Sequence, residues 1–134
     1  MPTTAAERLV DAYLDAIAAH DTDAVRALIS APGFRYESPI ARFDDTDAFV
    51  QFVAMSTGIL QRIERRHRFV DGDDICHWLV FVTQLSERIA TPAVQWAQVR
   101  DGRIASIELM FDPYRYRLLF DVDDPTDTGR NAVC

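Results

Sequence analysis

The hydrophobic period of this chain changes once, and no other feature constrains its fold as much. Up to about residue 58 most apolar side chains recur three and four positions apart, and from Ile59 onward they alternate. The first spacing marks one face of a helix and the second one face of a strand, so helices come first and strands follow. Leu9, Val10, Tyr13, Leu14 and Ile17 form the stripe of a helix over residues 5–19. Asp21 or Thr22 can cap a second, shorter helix that turns Val25, Leu28 and Ile29 inward, and Ala31-Pro32-Gly33 ends it. Residues 34–38 read as a short alternating strand closed by Pro39. Asp44, Asp45 and Thr46 supply caps for a third helix bearing Phe49, Phe52, Val53 and Met55, which stops near Gly58.

Beyond that point residues 59–70, 75–85, 94–99 and 104–111 read as four long strands, turned at Asp71-Gly72-Asp73 and Asp101-Gly102. The order predicts an α+β domain: three N-terminal helices packed on a strongly curved, mostly antiparallel sheet. A two-residue loop at Asp101-Gly102 sets Arg100 opposite Arg103, Trp96 opposite Ile107 and Val94 opposite Leu109. Alternation then turns Val94, Trp96, Ile107, Leu109 and Phe111 toward the helices. Ala93, Gln95, Ala97, Ser106, Glu108 and Met110 go to the far face, where small side chains allow a second copy to approach. In the first strand the same parity groups Phe34, Tyr36 and Ser38 inward and sends Arg35 and Glu37 out.

With 134 residues and 15.2 kDa the chain is sized for one domain, expected over residues 1–120. Residues 121–134 hold four Asp against one Arg and read as an acidic, mobile tail. A formal charge of -7 argues against nucleic acid, whose phosphates need a basic partner surface. All 14 basic residues are Arg, which with the abundant Ala suggests the codon bias of a GC-rich bacterial genome. Two cysteines make no disulfide framework, and no leader or membrane span is visible, so the cytoplasm is the expected compartment. No group of His, Cys or carboxylates has metal-ligand spacing and no Gly-rich phosphate loop occurs, so neither metal nor cofactor is expected.

The order of elements, with the patterns Ser38-Pro39 and Phe111-Asp112-Pro113, resembles the nuclear transport factor 2-like superfamily over about residues 5–118. Within it the chain is most similar to SnoaL-like and ketosteroid-isomerase-like domains. The resemblance implies a cone-shaped α+β barrel holding an apolar pocket under its helices, with the phenol of Tyr13 inside, since Tyr13 matches the oxyanion tyrosine of ketosteroid isomerases in its helix and in its distance to Asp21. Tyr36, Ser38, Phe52, Trp96, Ile107, Leu109 and Phe111 are the expected pocket lining. Two positions depart from the isomerase pattern. Ser38 stands where that family has its basic Asp, and Trp96 where it has a protonated Asp, so steroid isomerisation by that mechanism is not expected. The stretch Glu108-Leu109-Met110-Phe111-Asp112 likewise lacks the Arg and Asp of limonene epoxide hydrolases.

Asp112 matches the place where SnoaL-like polyketide cyclases carry a catalytic Asp. His77 lies on an inner strand, as do the catalytic histidines of scytalone dehydratase. The expectation is acid–base chemistry (isomerase, cyclase or dehydratase) on a hydrophobic carbonyl- or phenol-bearing substrate, with Tyr13, Asp112 and His77 as the catalytic groups. A non-catalytic protein holding an apolar ligand in the same pocket is the alternative. A homodimer is expected in either case.

Overall fold

A computed structural model describes residues 3–30 and 32–114. Its helices are α1 (Ala5–Ala18), α2 (Thr22–Leu28) and α3 (Thr46–Ser56). The strands are β1 (Arg35–Glu37), β2 (Arg42–Phe43), β3 (Leu60–Asp71), β4 (Asp74–Gln84), β5 (Arg88–Arg100) and β6 (Arg103–Phe111). They form one open sheet in the order β2-β1-β6-β5-β4-β3, antiparallel except where β1 runs parallel to β6. The helices pack on this sheet, giving the expected α+β architecture.

Local chemistry sets the helix ends. Thr4 accepts from the Glu7 backbone while Glu7 reaches back to the Thr4 amide, a reciprocal cap that starts α1. At its other end His20 adopts a left-handed φ of 60° and its Nε2 lies 3.0 Å from the Leu60 carbonyl oxygen, docking the helix onto β3. Asp21 caps α2 through the Ala24 amide. On the inner stripe of α1, Val10, Tyr13, Leu14 and Ile17 are buried in a core shared with Val25, Ile29, Phe34, Tyr36, Phe49 and Val53.

Asp101 and Gly102, both with positive φ, make the expected tight turn, and Arg100 does face Arg103. The register then shifts: Val99 pairs with Ile104, but Gln98 pairs with Ser106. Ala105 is the extra residue of a β-bulge, and one extra residue reverses the face of everything beyond it on the partner strand. Trp96 therefore faces Glu108, Ala97 faces Ile107 and Gln95 faces Leu109. Ile89, Thr91, Ala93, Gln95 and Ala97 are the buried residues of β5, whereas Val94 and Trp96 are 47% and 41% exposed. This corrects the expected parity of β5: Trp96 lies on the outer face, where its indole N–H donates to Asp74 at 3.0 Å. It also removes Ala93, Gln95 and Ala97 from the outer surface.

Strand β5 begins six residues before its expected start, and Pro92 lies inside it. Ala93–Phe111 is the last β5–β6 pair, so Pro92 pairs only with β4 and its missing N–H can fall on the unpaired side. The expected tail 121–134 lies outside the described residues.

Candidate binding cavity

Between α1, α3 and the inner face of the sheet lies a cavity of about 460 Å³. It exists because β5 presents small or slender side chains there, Thr91, Ala93, Gln95 and Ala97, beneath helices held up by large aromatics. Tyr36 packs on Phe49 with ring centroids 4.7 Å apart, Phe34 on Phe49 at 5.0 Å, and Phe43 on Phe52 at 5.1 Å. Leu14, Ile17, Phe52, Val53, Ile63, Phe81, Leu109 and Phe111 supply much of the apolar wall. Met55 also borders the cavity while 84% exposed, which places the mouth at the end of α3.

The polar groups of the lining are Tyr13, Tyr36, Ser56, Thr83, Thr91 and Gln95. Among the described residues, no Asp, Glu, His or Arg side chain lines it. Burial pushes the Tyr13 phenol well above the usual tyrosine range, and the neighbouring Tyr36 adds to the effect. Burial likewise raises Tyr36, to about 12, against an opposing hydrogen bond with Ser38. Both rings are thus neutral hydrogen-bond donors at any physiological pH, and the same desolvation penalises any charge placed beside them.

Of the residues expected to line the pocket, Tyr36, Phe52, Leu109 and Phe111 border this cavity, as does Tyr13. Three others do not. Trp96 is on the outer face for the reason given above. Ile107 is buried against Tyr36, its pairing partner in β1, and fills core instead of cavity wall. Ser38 shares the inward parity of Tyr36, but its Oγ accepts from the amides of Ile40 and Ala41 as well as bonding with the Tyr36 phenol, and it does not border the cavity.

The expected catalytic groups are not gathered in one place. Asp112 is exposed, and its Oδ1 accepts from the Tyr114 amide at 3.0 Å, a local bond across Pro113. His77 is buried on the inner face but outside the cavity lining, with Nε2 3.7 Å from Asp11 Oδ1. Asp11 in turn pairs with Arg68, and Arg68 with Glu7, in an ion-pair network joining α1 to β3. Glu37 points outward and pairs with Arg42 at 3.0 Å. Sequence reasoning passes over Thr83 and Thr91 and places Gln95 on the far face, whereas all three border the cavity. Thr83 stood out only as a polar residue within an apolar run, and the other two could be placed inward only by knowing of the bulge at Ala105.

Three helices on a mixed, open sheet with an apolar cavity between them define the nuclear transport factor 2-like class. The chain belongs to the SnoaL-like domain family, which it matches over residues 10–107. Among solved structures it is similar to a SnoaL-like polyketide cyclase from Jannaschia sp., with 16% identity, 92% of this chain and 97% of that one covered, and a TM-score of 0.76. It is also similar to an epoxide hydrolase of the limonene type from Mycobacterium tuberculosis, at 21% identity, 89% and 98% coverage and a TM-score of 0.74. An NTF2-like protein from Cytophaga hutchinsonii matches at 18% identity over 90% and 97%, with a TM-score of 0.72. At these identities the likeness shows the fold alone. No curated protein matches the sequence.

Proposed function

We propose that this protein binds a small, neutral, largely apolar molecule in the cavity, and that the phenols of Tyr13 and Tyr36 donate to a carbonyl oxygen on it. The composition of the lining carries the reading: apolar walls, two protonated phenols and no charged side chain among the described residues. Such a site gains by burying ligand surface and uses a few polar groups to orient it. α-Tetralone, a bicyclic aromatic ketone, fits that chemistry and serves as the probe.

A second reading, acid–base catalysis on the same ketone, draws on one observation. His77 sits beside the Asp11 carboxylate and directly opposite Gln95, which does line the cavity. Titration calorimetry with α-tetralone, run beside deuterium incorporation next to its carbonyl, separates the two. Binding should be measurable and should weaken about fivefold in Tyr13→Phe, the loss of one neutral hydrogen bond. Absence of binding would defeat the proposal. Exchange accelerated by the wild type and lost in His77→Gln would move the assignment to catalysis.

We also infer that two copies pair through the outer face of the sheet. Trp78, Val94 and Met110 form one row across β4, β5 and β6, each between 47% and 71% exposed, with Trp96 beside them. A continuous apolar patch of this kind is unusual on a monomer surface.

A further inference from the structure

Among the described residues, two buried side-chain nitrogens have no hydrogen-bond partner: His77 Nδ1 and Gln95 Nε2. They are not scattered. His77 and Gln95 are direct partners across β4 and β5, and both are within 2% of complete burial. Orphaned buried polar atoms are uncommon, and two at facing positions indicate a shared missing partner.

Their hydrogen-bonding characters are complementary. The Nε2 of His77 faces the Asp11 carboxylate 3.7 Å away, which keeps the ring proton on that nitrogen and leaves Nδ1 as an acceptor. Gln95 Nε2 is a donor on a side chain that borders the cavity. A single atom that accepts from Gln95 and donates to His77 satisfies both. A hydroxyl oxygen can do so, whereas a carbonyl or ether oxygen can only accept.

We propose that the pair His77–Gln95 is a specificity element for a ligand hydroxyl, so the bound molecule carries a hydroxyl in addition to the oxygen held by the tyrosines. This rests on the cavity being the binding site. The hydroxyl displaces whatever water enters the unliganded pocket and takes over both hydrogen bonds.

The test compares α-tetralone, 6-hydroxy-α-tetralone and the methyl ether of the latter, by calorimetry, on wild type and Gln95→Leu. Wild type should bind the hydroxy compound about tenfold more tightly than the ether, the worth of one or two hydrogen bonds. In Gln95→Leu the preference should collapse while α-tetralone still binds, which shows that the variant is folded and that the ether is not excluded by its size. Nitrogen-15 NMR of wild type adds a readout that packing alone would not move: the His77 Nδ1 resonance should shift with the hydroxy compound and stay in place with the ether. Equal affinities for the two compounds would overturn the hydroxyl assignment and leave the cavity reading intact. So would a preference that survives Gln95→Leu. Failure of all three compounds to bind wild type would instead take down both.

Discussion

Burial decides which side chains near the cavity carry protons. Tyr13 belongs to the apolar stripe of α1 and Tyr36 to the inward parity of β1, so both positions follow from spacing alone. Their raised pKa values follow from the same placement, because a phenolate there would lose its water. His77 obeys the rule with opposite sign. Burial lowers its pKa below 6.5, Asp11 pulls it back up, and Arg68 and Arg65 reinforce the lowering. Glu7 also faces this cluster, paired with Arg68. A base whose folded pKa is depressed binds fewer protons folded than unfolded as pH drops. Its contribution to stability is therefore complete above pH 6.5 and is lost as pH falls through the lower, folded value. Between about pH 7.5 and about pH 5 the melting temperature of wild type should fall a few degrees further than that of His77→Gln. Identical slopes in differential scanning calorimetry would show that His77 is not held neutral by the fold.

At the scale of elements, the sequence was informative wherever period and caps act locally. The Thr4–Ala18 region, the Asp21 cap, the Asp101-Gly102 turn and the outward Glu37 all rest on interactions within a few residues. What stayed hidden was decided between elements. The two-residue strand β2 has no pattern long enough to see and exists because Arg42 and Phe43 pair with β1. The bulge at Ala105 has no signature of its own, since Ile104-Ala105-Ser106-Ile107 reads equally well as plain alternation. Burial chooses between the two readings. With the bulge, Ile104 and Ile107 both turn inward at 1% exposure or less, and β5 keeps its small side chains under the helices. Without it Trp96 would fill the space that is now the cavity. One inserted residue thus determines whether there is room for a ligand, and that is why the candidate site was only half legible: Tyr13, Phe52, Leu109 and Phe111 border the cavity, Ile107 of β6 fills core instead, and the β5 contribution was reversed.

Taken whole, the molecule has two surfaces that its monomer leaves unfinished, the cavity and the outer face of the sheet. Burying Trp78, Val94, Trp96 and Met110 against a second copy would give an isologous interface, which needs about 1,200 Å² in total to be stable. Sedimentation at micromolar concentration should show twice the 15.2 kDa monomer mass. The double change Trp78→Arg with Val94→Asp should return it to monomer and leave α-tetralone binding in place, because neither side chain lines the cavity. A wild type that sediments only as monomer would refute the pairing.

The central claim is that the two buried phenols hold a neutral ligand oxygen, and the carbonyl stretch of bound α-tetralone reports on that contact directly. In infrared difference spectra, the band of the complex should lie at lower frequency than in an apolar solvent, reflecting donation from Tyr13 and Tyr36. It should move back toward the apolar position in Tyr13→Phe with Tyr36→Phe. A wild-type complex whose carbonyl band already sits at the apolar position would contradict the account.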